Sequence, residues 1–226
     1  MRRHFTRIFA GGIWFAVATS GHDVITTPLT FSREISRLVY ARCASCHRPE
    51  GMAFSLLTYA EARPWAAAIK EEVLERRMPP WGAVKGFGEF KNDQGLTQEQ
   101  IELISDWVEG GAPEGDPKLL PKIPDFRQEP APRISAGIPV NGALTIKTGI
   151  TLTGIQPQKI PDDGSLVVTA SRPDGSVEPL LWLYNYNNKF PRTYWYRTGL
   201  YLEASTRIEI APPGAAAVAL ITGRAN

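Results

Sequence analysis

The residues with the most chemistry to offer are also the scarcest. The 226-residue chain has two cysteines and three histidines, and both cysteines fall in one run, Cys43-Ala44-Ser45-Cys46-His47. Two thiols three positions apart, with an imidazole directly after them, form the pattern of covalent haem attachment. Each cysteine sulfur makes a thioether to the porphyrin, and His47 coordinates the iron as an axial ligand. Other uses fit worse. A structural disulfide across so short a loop constrains little of the unfolded chain. A redox-active dithiol has no need of the histidine that follows. Zinc wants four ligands, and the remaining histidines, His4 and His22, lie in or beside an N-terminal segment of different character. The expected cofactor is one covalent haem c.

The group on the other side of the iron decides the chemistry, because a strong-field protein ligand favours electron transfer whereas an open position lets small molecules bind. The methionines are Met1, Met52 and Met78. Met52 is five residues beyond His47, a reach of about 17 Å when fully extended, which makes for a strained route around a porphyrin edge. Met78 is far enough along the chain to cross easily, and Pro79-Pro80 stiffens the backbone after it. Met78 is the expected second axial ligand; its alternative use is as a packing residue, a common fate of methionine.

Three helical segments have to position these groups. Thr30 or Ser32 is placed to cap a first helix running to about Arg42, with Ile35, Leu38 and Val39 at helical spacing and the cysteine run at its C-terminal end. Thr58 and Glu61 have capping-box spacing and open a second. Pro64 interrupts it early or opens its main part, which carries Trp65, Ala66, Ile69 and Val73 and stops before Pro79-Pro80. After a glycine-rich loop, Thr97 and Gln100 repeat the capping-box spacing, and Ile101, Ile104, Trp107 and Val108 form the stripe of a third helix that ends at Gly110-Gly111. Trp65, Trp81 and Trp107 read as pocket-lining or helix-packing residues.

The rest of the chain has a different texture. Arg2, Arg3 and Arg7 precede a short apolar run from Ile8 to Ala18, the form of a secretory signal peptide spanning residues 1–20; the alternative, an uncleaved membrane anchor, suffers from an apolar stretch shorter than the roughly 20 residues of a spanning helix. Six prolines between residues 113 and 133 mark a linker. Beyond it the periodicity changes to alternation in Leu144–Lys147, Ser165–Ala170, Trp195–Leu202 and Arg207–Ile210, with turn signals at Asp163-Gly164 and Asp174-Gly175. The expected organisation is an α+β multidomain chain: a signal peptide over 1–20, an all-α haem domain over 28–115, a linker over 116–133 and an antiparallel, jelly-roll-like β-sandwich over 134–226.

The residues around the cysteines resemble a known group. Phe31-Ser32-Arg33-Glu34-Ile35 and Cys43-Ala44-Ser45-Cys46-His47-Arg48-Pro49 look like the start of class I cytochrome c domains of exported bacterial proteins. Phe54-Ser55-Leu56-Leu57-Thr58-Tyr59, Ala62-Arg63-Pro64-Trp65-Ala66, Arg77-Met78-Pro79-Pro80-Trp81 and Trp107-Val108-Glu109-Gly110-Gly111-Ala112-Pro113 are similar to a subgroup whose cytochrome domain precedes a lobe resembling copper type II, ascorbate-dependent monooxygenases. The resemblance implies an all-α cytochrome c fold with Met78 as the axial methionine. The second domain resembles that lobe more loosely, through Ser171–Leu181 and Ala204–Glu209. Where the lobe's His-x-His pair would bind copper, this chain has Gln156-Pro157-Gln158, and residues 48–226 contain no histidine. Copper chemistry of that kind depends on imidazoles, so no oxygenase activity is expected.

Three functions compete. The first is an exported, periplasmic or extracellular, monohaem electron carrier with an unidentified redox partner protein and no catalytic residue. The second is a binding or assembly module in which the β-domain docks to a partner, a surface or a second copy, with Trp182, Tyr184, Tyr186, Phe190, Tyr194, Trp195, Tyr196 and Tyr201 either exposed for recognition or packed as alternating strand residues. The third is an open-site haem enzyme or gas binder, which requires that Met78 not ligate. A formal net charge of +2 gives no argument for nucleic acid, and no span is expected once the signal is cleaved.

Overall fold

The structure is a computed structural model, and it describes residues 28–91, 93–126, 137–214 and 216–223. The signal-peptide segment and residues 127–133 of the expected linker lie outside the described residues. Among the described residues no helix is long and apolar enough to cross a membrane.

The helices are short. A π-helical turn over Phe31–Ile35 leads into α1 (Ser36–Arg42). Next come α2 (Tyr59–Ala62), a 3-10 turn over Arg63–Trp65 that accommodates Pro64, and α3 (Ala66–Leu74). The last is α4 (Gln98–Glu109). Their starts are set locally. Thr30 accepts from the Arg33 N–H, and Thr58 with Glu61 and Thr97 with Gln100 form complete capping boxes, each satisfying N–H groups that a helix start leaves without partners. A single apolar cluster joins them. Phe31 packs against Tyr59 and Trp107 with ring centroids 5.8 and 6.3 Å apart. Tyr59 Oη donates to the Ala112 carbonyl at 3.0 Å and Trp107 Nε1 to that of Pro113 at 3.0 Å. Trp107 is completely buried in this cluster. Trp107→Ala therefore removes its largest fully buried side chain and is expected to cost about 3–5 kcal/mol, read as a lowered midpoint of denaturant unfolding.

The Thr58–Glu61 capping box carries a pH signature. Burial works against the Glu61 carboxylate, but hydrogen bonds from Thr58, Ser55 and the Leu57 N–H outweigh it and hold the group below the usual carboxylate range. A carboxyl depressed in the folded state stabilises the fold above its unfolded pKa, and that contribution is lost as pH falls through the folded value. Between about pH 5 and pH 3 the wild type is expected to lose more stability than Glu61→Gln does, measured as unfolding midpoint against pH.

Among the described residues eight strands follow the helices: β1 (Ile138–Asn141), β2 (Ala143–Thr145), β3 (Ile150–Lys159), β4 (Gly164–Ser171), β5 (Val177–Tyr186), β6 (Tyr194–Leu202), β7 (Arg207–Ala211) and β8 (Ala217–Thr222). They form two antiparallel four-stranded sheets, ordered β1-β8-β3-β6 and β2-β7-β4-β5. Residues alternate between the faces of each strand, and the inward sets from both sheets, including Leu152, Leu166, Leu181, Leu202, Ile208 and Leu220, meet in one core.

This architecture corrects the expected fold class. The chain is mostly β, with helices of 7, 4, 9 and 12 residues beside two four-stranded sheets, and it does not divide into an all-α cytochrome c domain followed by a jelly-roll-like β-sandwich. The segment between α3 and α4 shows why. Trp81, Ala83 and Phe90 are buried in the core of the sheets, not in the helical cluster. Ala83 bridges to Leu183 and Phe90 to Tyr196, while the Val84 N–H donates to the Trp182 carbonyl at 2.9 Å and the Lys91 N–H to that of Trp195 at 2.7 Å. A stretch between two helices is thus bound to the strands by backbone hydrogen bonds and by apolar burial. Trp81, expected at the pocket or in helix packing, instead meets Tyr194 edge-on with ring centroids 5.2 Å apart.

Candidate functional site

The turn after α1 delivers both cysteines and the histidine to one place. The Cys43 and Ala44 N–H groups both donate to the Val39 carbonyl at 2.9 Å, ending the helix, and the Cys46 and His47 N–H groups donate to that of Cys43 at 3.1 and 2.9 Å. Ala44 is fully buried under this turn. The chain then folds back on itself: the Ala53 N–H reaches the Cys46 carbonyl at 3.2 Å, and the Leu56 N–H that of His47 at 3.2 Å. Gly51 makes the return possible, since a Cβ there would lie 2.3 Å from the Cys46 carbonyl oxygen.

This doubling back puts the Phe54 carbonyl 3.0 Å from His47 Nδ1. A carbonyl oxygen only accepts, so Nδ1 is assigned the proton. In the neutral ring this tautomer keeps the lone pair on Nε2, and the ring is fixed in orientation, as metal-ligating histidines commonly are by an outer partner. The Phe54 ring stands edge-on to the imidazole at 5.0 Å and stacks on Trp65 at 4.5 Å.

Both cysteines are free thiols. Cys43 is half-buried as a residue, but its sulfur is turned inward. Burial, helped by Cys46 and opposed by Arg42, pushes the thiol up to about 12. It is protonated at neutral pH.

Cys43, Cys46 and His47 all border one cavity of about 410 Å³, whose walls include Leu56, Trp65, Ile69 and Val73. The size lies within the roughly 300–1,000 Å³ of cofactor sites, which are typically apolar with a few placed polar groups. Met78 borders it too. The turn after α3 carries it there: the Arg77 and Met78 N–H groups donate to the Glu72 carbonyl at 2.9 and 3.1 Å, and the Arg77 guanidinium pairs with Glu71 and Glu72. Met78 is half-buried, with Pro79 and Pro80 beside it on the wall. Met52 also reaches this cavity but is 71% exposed. Two methionine sulfurs therefore border the cavity, of which Met78 is the one held on a structured turn.

These residues fit haem. Two thiols and an imidazole with a free Nε2 share an apolar cavity with a thioether sulfur on a different element. Among the described residues no cluster of three or more histidine, cysteine or acidic side chains forms that could hold a metal ion by itself.

Two lining residues have no signal in the sequence. Gln94, just before α4, and Phe190, from the loop between β5 and β6, both border the cavity, brought there by contacts between distant parts of the chain. The other aromatics of that region divide. Tyr186, Tyr194 and Tyr196 are buried in the sheet core, whereas Tyr184 and Tyr201 are 55% and 61% exposed. No protein-family model matches the chain, and no curated protein matches it.

Proposed function

We propose that the chain is an exported monohaem c-type cytochrome that passes single electrons to and from a partner protein. The observation that carries this reading is the single cavity bordered by Cys43, Cys46, His47 and Met78, with His47 Nδ1 committed to the Phe54 carbonyl. Haem supplies an iron that moves between two oxidation states one electron at a time.

The chain's own residues do the rest. The free thiols of Cys43 and Cys46 would hold the group by each adding across a vinyl, sulfur bonding to one carbon and hydrogen to the other, an addition that needs no oxidant. His47 would hold the iron through Nε2, and the Phe54 carbonyl, by accepting from Nδ1, would make it a better donor. Met78 would supply a thioether ligand, which favours electron transfer over ligand binding and raises the potential. Leu56, Ile69 and Val73 keep water from the site and act in the same direction. Export is part of the proposal: the basic and apolar start of the chain has the form of a secretory signal.

A potentiometric titration of the matured, full-length protein, followed by visible absorption, tests the reading. A single reversible one-electron step is expected. A chain with no such step, or one whose reduced form binds carbon monoxide as readily as an open iron does, is not an electron carrier of this kind.

A further inference from the structure

Phe190, from the loop between β5 and β6, borders a cavity built otherwise from the helical part of the chain and the segments beside it. The loop holding it, residues 187–193 between β5 and β6, is fixed from below. The Phe190 N–H donates to the Asn187 carbonyl at 3.1 Å, the Lys189 N–H to Asn187 Oδ1 at 2.9 Å, and Asn188 Nδ2 to the Ile160 carbonyl at 2.9 Å and to Asp162 Oδ1 at 2.8 Å. It is also tied to the cysteine run. Arg192 lies over the Trp81 ring, 5.2 Å from its centroid, and donates to Gln94 Oε1 at 3.2 Å. Gln94 Nε2 in turn donates to the Ser45 hydroxyl, between the two cysteines, at 3.0 Å.

We propose that Phe190 is a positioning residue for the haem site: held by the Arg192–Gln94–Ser45 chain, it covers the cysteine edge of the cavity and sets how much water reaches the group bound there. This rests on the reading of Cys43, Cys46 and His47 as the haem attachment. The physical basis is that nearby water favours the more highly charged, oxidised iron, so an apolar cover raises the potential. It gives the sheets a role that needs no copper: they complete the wall of the helical part's site.

The test is a redox titration of full-length, haem-loaded wild type, Phe190→Ala, Phe190→Leu and Arg192→Leu. Phe190→Ala is expected to shift the reduction equilibrium about tenfold toward the oxidised form, which for one electron is about 59 mV. Phe190→Leu, which keeps an apolar cover, stays within about twofold of wild type. Arg192→Leu, which cuts the link to Gln94 but keeps an apolar stem over Trp81, moves in the same direction as Phe190→Ala by a smaller factor, and decides the matter if the alanine variant fails to fold. Unchanged potentials in Phe190→Ala and Arg192→Leu with haem attached overturn the proposal alone, as does a leucine variant that shifts as far as the alanine one. A wild type that carries no covalent haem overturns the reading beneath it as well.

Discussion

Cys43→Ala/Cys46→Ala, produced beside the intact protein in cells that mature c-type cytochromes, is expected to leave the chain without attached haem: visible absorbance travels with the denatured wild-type polypeptide and is lost from the double variant. Both thiols border the same cavity as His47 and neither is tied up in a disulfide, so covalent attachment has no other sulfur to use in a chain with two cysteines. The single variants are expected to retain haem by one thioether, at lower yield. Since Cys43 packs against the helical cluster, its loss also removes a buried contact, and circular dichroism of the double variant separates a chain that lacks haem from one that lacks its fold. If the folded double variant retained covalent haem, the roles given to Cys43 and Cys46 would be wrong.

The second large effect belongs to Met78. Met78→Ala is expected to abolish the weak red absorption band of iron–methionine sulfur, to lower the potential by withdrawing a ligand that favours reduced iron, and to let the reduced protein bind carbon monoxide. Met52→Ala serves as the contrast. Met52 borders the same cavity, but it is 71% exposed and only five residues from His47, and its variant should keep the band. A band lost with Met52 and kept with Met78 would exchange the two assignments. A band absent from the wild type would turn attention to chemistry at an open iron.

What could be read from the sequence was what is decided over a few residues. The capping boxes at Thr58–Glu61 and Thr97–Gln100 formed where their spacing placed them, and Cys43, Cys46 and His47, adjacent in sequence, border one cavity. The alternation in residues 165–170 and 207–210 marked β4 and β7. The apolar run of β8, whose four central residues are all buried, gave no alternation to detect, because a strand covered on both faces has no polar side to show.

The segment from Trp81 to Phe90 misled for a related reason. Its apolar residues are separated by glycines and lysine, without the period of a helix or a strand. Their burial is set by Leu183, Tyr194 and Tyr196, about a hundred positions further on. The expected fold class fails at that point, since nothing local says that a loop between two helices belongs to the core of two sheets. Phe190 and Gln94 escaped notice at the cavity for the same reason: their place depends on how the two parts meet. The Phe54 carbonyl that orients His47 is a backbone group and leaves no mark in side-chain spacing.

The central claim, that Cys43, Cys46 and His47 hold one covalent haem, is tested most directly by the intact mass of the matured full-length protein under denaturing conditions. The account predicts the mass of the polypeptide, less any cleaved signal segment, plus one haem. A mass equal to the polypeptide alone, from cells shown to mature a known c-type cytochrome, would contradict it.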